Sequence, residues 1–379
     1  MDKKEGLDFN VTPWEVSGDV DYEKLIKEFG VKPMHENLPK IFNENILFRR
    51  KIIFAHRDFE KILDAVKEKK KFAMMTGLMP SGKFHLGHML VAQQMIFYQN
   101  LGAKLYVAVA DLEAYNTRGK NLEELKKTAI EQYLVNYIAL GLKPKNLDFY
   151  FQSSRSRDAE KSHAYYSLAA KLSRYATFNE FKAVYGEITP GKMSSSLLQA
   201  ADMLHPQLKE FEGKPIHTIV PVGIDQDPHL RLARDLSQRF KDLKFSQLSS
   251  TYHLFFPSLK GSGKMSSSDE TSYIAMTDSE KEVETKIKRY AFSGGKNTLE
   301  EHRKHGGNPD KDVSFQYLKF FFEENDAKLK KIHDDYKSGK MLTSELKEIL
   351  IEKINKFLKE HQKKRKLAEK QIGKFLVKS

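Results

Sequence analysis

Five short apolar segments punctuate the middle of the chain, at residues 71–76, 104–110, 147–152, 217–222 and 251–256, each followed by a turn or a polar residue. Between them, apolar residues recur at three- and four-residue spacing, as in Met89, Ala92 and Ile96, or Leu230, Ala233 and Leu236, which is helical periodicity. Strands alternating with helices predict right-handed crossovers and a parallel sheet. Residues 105–110 are apolar at every position rather than at alternate ones, as a strand covered on both faces requires. The pattern predicts an α/β fold: a doubly wound, Rossmann-like nucleotide-binding sheet over residues 71–278, whose ligand site lies beyond the carboxyl ends of its strands. Residues 1–70 are mixed and charged and read as an N-terminal extension. From about residue 279 strand patterns vanish, and stretches rich in Lys, Glu and Leu, such as 344–359, predict an all-helical C-terminal domain spanning 279–379, punctuated by Gly294-Gly295 and Gly306-Gly307.

Composition narrows the chemistry. Of 379 residues, 40% are hydrophobic and 30% charged, an ordinary globular balance. No apolar run approaches the ~18 residues of a membrane span and the first residues lack a signal-peptide core, so a cytoplasmic, membrane-free protein is expected. The absence of cysteine excludes disulfides, thiolate metal sites and cysteine nucleophiles. No protein-held metal is expected, only magnesium arriving with a nucleotide. The formal net charge is +13, and residues 351–379 carry ten Lys or Arg against three Glu, a balance that suits a polyanion. Phe292, Phe315 and Tyr317 read as core residues rather than base-stacking surfaces.

Two motifs bear on that nucleotide. The first predicted strand runs into Thr76-Gly77-Leu78-Met79-Pro80-Ser81-Gly82-Lys83 and then His85-Leu86-Gly87-His88 at the start of a helix. Two imidazoles beside unpaired amides and the positive end of a helix dipole make an anion site, and Gly87 lets a nucleotide approach the backbone. After the last strand comes Gly261-Ser262-Gly263-Lys264-Met265-Ser266-Ser267-Ser268, a glycine-hinged loop whose ammonium and hydroxyls can close over a triphosphate. The six letters Gly191-Lys192-Met193-Ser194-Ser195-Ser196 repeat it about 70 residues earlier, but run into an apolar helical pattern, where the serines are expected to cap the helix. Position after the final strand favours Lys264 over Lys192.

The two motifs, in this order and about 180 residues apart, resemble the paired signatures of class I aminoacyl-tRNA synthetases. Pro13-Trp14-Glu15-Val16, Phe54-Ala55-His56-Arg57-Asp58, Gly223-Ile224-Asp225-Gln226-Asp227-Pro228, Ala291-Phe292-Ser293-Gly294-Gly295 and Asp312-Val313-Ser314-Phe315 are similar to segments of the tryptophanyl-tRNA synthetase family in its archaeal and eukaryotic form, over nearly the whole chain. The resemblance implies ATP-dependent formation of tryptophanyl-adenylate and transfer to tRNA(Trp) by a homodimer. It implies that His85, His88, Lys264, Ser266 and Ser267 serve catalysis. Thr76, Gly77, Pro80, Gly87, Asp225 and Met265 would bind ATP with them. Glu113 and Gln199 would take the amino group of L-tryptophan, Gln226 or Asp202 the indole nitrogen, with Met75 lining the pocket. Two positions depart from the family: Met75 and Ala108 stand where a tyrosine and a glutamine are common. Methionine cannot pair with a phenol hydroxyl, which weighs against the tyrosyl counterpart. That counterpart and a small-metabolite nucleotidyltransferase remain the alternatives.

Overall fold

The computed structural model describes residues 9–11, 16–18, 21–261, 263, 265 and 269–376. A two-stranded ribbon, β1 (Phe9–Val11) and β2 (Val16–Gly18), precedes β3 (Lys32–Pro33) and β4 (Ile53–Arg57). The centre is a parallel sheet of β5 (Phe72–Leu78), β6 (Lys104–Val109), β7 (Leu147–Phe151) and β8 (His217–Ile219), in the order β7-β6-β5-β8. A single parallel bridge, Ile219 to Ser249, carries the surface on to β9 (Val222–Gly223) and β10 (Ser250–His253). There β10 pairs in parallel with β9 and antiparallel with β4.

Side chains of β6 divide by parity. Leu105, Val107 and Val109 enter one buried cluster, while Tyr106 and Ala108 enter a second on the opposite face. This is why the strand is apolar throughout: both faces are covered by helices. The stretch 217–222, expected as one strand, is two. Pro221 has no N–H to give a ladder, and the chain changes partner there, from β5 before it to β10 after it. Because the chain leaves β5 toward β6 on one side and returns as β8 on the other, a crevice opens beyond the ends of these strands. Thr76, Gly77 and Pro80 border it from β5 and the turn after it, and Asp225 and Gln226 lie in the turn that follows β9.

The segment read as an N-terminal extension contributes β4, the antiparallel edge of this surface, and a buried ion pair secures it. Arg57 donates through Nε and a terminal nitrogen to both oxygens of Asp227, at 2.9 Å each. Asp227, whose side chain is 0% exposed, also pairs with Tyr252. Arg234 reaches Asp58 at 2.8 Å.

Ser279 caps the helix Glu280–Tyr290 through a reciprocal bond with Glu282, and every described element beyond it is helical. The last long helix, Thr343–Glu369, buries Leu346, Leu350, Ile354 and Leu358 at helical spacing and leaves Lys356, Lys359, Lys363, Lys364 and Lys366 exposed. His361 on that helix meets Asn136 at 2.7 Å, and Gln362 donates to the carbonyls of Met276 and Asp278. The basic C-terminal stretch is therefore a docked helix with one charged face. Phe315 and Tyr317 are core, as expected. Phe292 is not: it is 48% exposed, and its inner side packs against Gly261, where φ of +83° and the absence of a Cβ let the side chain sit against the backbone.

Replacing Arg57 with Ala leaves the Asp227 carboxylate buried, with Tyr252 and Arg231 as its remaining side-chain partners among the described residues. We expect a loss of about 2–4 kcal/mol in chemical denaturation, with the midpoint lowered.

Candidate active site

The turn after β5 is organised by its own imidazoles. His85 Nδ1 accepts the Gly87 N–H at 3.2 Å, and His88 Nδ1 accepts the His85 N–H at 3.1 Å. These bonds cap the short turn Leu86–His88 that opens the helix Met89–Asn100. A neutral ring accepting at Nδ1 carries its proton on Nε2, so both rings are Nε2 donors. Burial keeps them neutral. It holds the His85 pKa well below the usual value, with the neighbouring His88 and Lys286 acting the same way, and lowers that of His88 to about 4. The rings lie 3.8 Å apart, centre to centre. They form a pair of uncharged N–H donors suited to phosphate oxygens.

The later glycine-hinged loop returns to this turn. Its neck is closed by a 2.8 Å bond from Leu259 N to Ser272 O. The following residues zip onto the first motif: Met276 N donates to Phe84 O and Leu86 N to Ile274 O, both at 3.0 Å, around a bridge of His85 with Ala275. Lys83 and Glu270 add an exposed pair at 2.8 Å. Met265 is consequently buried. A Cβ built on Gly87 would lie 3.2 Å from its sulfur and 3.1 Å from the His85 ring, so this position tolerates nothing larger than glycine without displacement. Lys264, Ser266 and Ser267 lie outside the described residues.

The earlier copy has a different role. Thr189 caps the helix Pro190–Leu204, with Pro190 in its first turn, so the serines do not cap it as expected: Thr189 lies upstream and already satisfies the free amide of Lys192. Ser195 and Ser196 are buried inside the helix, and Lys192 Nζ donates to the Glu187 carbonyl at 2.9 Å.

That same helix carries Gln199 and Asp202. Asp202 is fully buried and accepts three bonds of 2.7 Å, from Tyr150 and Tyr165 at one oxygen and Gln152 at the other. Burial raises its pKa to about 6 against the pull of those donors. Glu113, in the helix Asp111–Arg118 after β6, is raised to about 7, first by burial and then by the charge of Asp202. Its backbone N–H donates to Gln152, which thus links the two acidic residues. Gln199 Oε1 is buried with no hydrogen-bond partner. Gln226 Nε2 donates to Asp225 at 3.0 Å. Met75 and Ala108 share a buried cluster with Tyr150 and Tyr165. Carboxylates that ionise near neutrality beside an unmatched amide oxygen suit an ammonium group.

Sequence reasoning missed Tyr150, Gln152, Tyr165 and Arg155. Gln152 is the first residue beyond β7, which the rule of inspecting strand ends would have found. Arg155, buried with Asp148 at 2.8 Å, stacks 3.8 Å over the Tyr150 ring and bonds to His205, fixing the wall behind Asp202.

Comparison with known proteins gives the family. The family described as tRNA synthetases class I (W and Y) matches residues 67–359. The tryptophan–tRNA ligase of Methanocaldococcus jannaschii is 42% identical, covering 97% of this chain and 98% of the relative. That of Aeropyrum pernix is 43% identical, with 92% and 93% covered. The crystal structure of tryptophanyl-tRNA synthetase from Aeropyrum pernix superposes with a TM-score of 0.87, over 94% of this chain and 96% of that one, at 42% identity. The chain belongs to the class I tRNA synthetases of this tryptophan and tyrosine group, and within it to the tryptophan–tRNA ligase family. Among the described residues no helix is long and apolar enough to cross a membrane.

Asp202→Ala would strand two buried phenols and an amide. We expect a loss of about 3 kcal/mol or more in denaturant unfolding, against about 1 kcal/mol for Tyr165→Phe, which leaves Asp202 two donors.

Proposed function

We propose that this chain activates L-tryptophan with ATP, giving tryptophanyl-adenylate and pyrophosphate, and transfers the amino acid to the 3′ end of tRNA(Trp). The observation that carries the reading is the contact of Met265 with Gly87, which seats the glycine-hinged loop on the two-imidazole turn. In this reading the substrate carboxylate attacks the α-phosphorus, and the protein supplies position and charge rather than a nucleophile. His85 and His88 donate Nε2–H to phosphate oxygens. Lys264, with Ser266 and Ser267, stabilises the charge on departing pyrophosphate. Gly87 and Met265 bracket the nucleotide, with Thr76, Gly77, Pro80 and Asp225 around it. Glu113 and Gln199 hold the α-ammonium, Met75 lines the pocket, and Gln226 or Asp202 accepts the indole N–H.

Magnesium fits as a passenger on the triphosphate, neutralising its charge, because the turn offers imidazoles and a thioether rather than a carboxylate set. The exposed lysines of the helix Thr343–Glu369 support tRNA phosphate contact within the helical C-terminal domain. Family membership supports a homodimer working in the cytoplasm.

Lys264→Ala should slow tryptophan-dependent adenylate formation by about 10²–10³-fold, whereas Lys192→Ala should change it less than about threefold. Equal effects on pyrophosphate exchange would sink the assignment of the loops. Glu113 gives a second test. With a pKa of about 7 in the free protein, it is protonated below neutrality and cannot pair with an ammonium. The Michaelis constant for tryptophan should therefore rise as pH falls from about 8 to 6, by up to about tenfold per unit, and Glu113→Gln should flatten that dependence.

A further inference from the structure

We propose that His35, His56 and Glu60 form a zinc site outside the adenylate-forming centre. One ring nitrogen of each histidine and one oxygen of Glu60 all lie within 4.8 Å of one another. The three residues come from separate elements: His35 follows β3, His56 sits within β4, and Glu60 opens the helix Glu60–Lys67. The two rings are 4.5 Å apart, and His35 Nε2 is 3.6 Å from a Glu60 oxygen.

The polar atoms here are unmatched in a way that an ion would correct. His56 is 0% exposed; its Nδ1 accepts the Phe59 N–H at 3.3 Å, and its Nε2 meets no partner. His35 Nε2 is likewise buried without a hydrogen bond. A buried polar atom left unpaired is costly, and protein interiors rarely keep two such atoms. Two imidazoles and one carboxylate form a borderline donor set that zinc prefers and magnesium does not. A cleft of about 360 Å³, lined by His35, Glu36, Asn37, Glu60, Leu63 and Asp64, opens beside the cluster and has room for a water as fourth ligand. Among the described residues the lysine on Glu60 is Lys32, at 3.2 Å and 65% exposed, which an incoming ion displaces at little cost. Bound there, zinc ties the segment after β3 to the edge strand β4 and its helix.

The test uses the full chain, stripped with chelator and titrated with zinc chloride by calorimetry, with cobalt(II) absorption to report coordination. One equivalent should bind, raise the thermal midpoint and give a tetrahedral cobalt spectrum. His35→Ala and Glu60→Gln, both at partly exposed positions, should each weaken binding by at least about tenfold while the metal-free midpoint stays near that of the parent. His163→Ala, on an exposed helix face, should bind as the parent does. Absence of binding, or affinity unchanged in both cluster variants, overturns the site; the latter would place the ion elsewhere, such as His85 and His88.

Discussion

The antiparallel contact of Phe84, His85 and Leu86 with Ile274, Ala275 and Met276 is the constraint on which the site depends. Two backbone hydrogen bonds join segments almost 190 residues apart in the chain. They register the base of a glycine-hinged loop against a turn whose amides are already taken by two imidazoles. Without that contact Met265 has no reason to lie on Gly87. The long helix Thr343–Glu369 reinforces the arrangement, since Gln362 donates to the carbonyls of Met276 and Asp278 at the far end of the same strip.

A second constraint is electrostatic. Glu113 and Asp202 are both buried, and the charge of Asp202 adds to the cost of ionising Glu113. Asp202 is charged mainly at the expense of three donors, which also immobilise it. Glu113, beside Tyr185 and the charge of Arg118, stays closer to half-ionised at neutral pH. Such a carboxylate gains most from an arriving ammonium, which is why Glu113 is proposed to hold the amino group of the substrate. The Arg57–Asp227 pair does similar work for the fold, joining the edge strand to the helix Asp227–Arg239 behind Gln226.

Much of this was legible in the sequence, because burial on both faces imposes continuous apolar strands and helical spacing between them. The parallel sheet with helices between its strands followed from that pattern, the two motifs at its edge were visible as residues, and resemblance supplied the family. What was hidden was spatial. Nothing local tells that Tyr150, Gln152 and Tyr165 converge on Asp202, or that Arg57 of one motif pairs with Asp227 of another. Thr189 could have been preferred over the serines as a cap, since Pro190 follows it at the position proline favours. Phe292 read as core from its apolar ring alone, while the residue it packs against, Gly261, lies about 30 residues away in sequence. Pro221 was a visible signal that the stretch 217–222 would not pair as a single strand.

The central claim is that these motifs activate tryptophan rather than another amino acid. ATP–pyrophosphate exchange by the unmodified chain, supplied separately with tryptophan and tyrosine, tests it most directly. The account predicts rapid exchange with tryptophan and none above background with tyrosine. Exchange stimulated by tyrosine alone, or by neither amino acid, would contradict it.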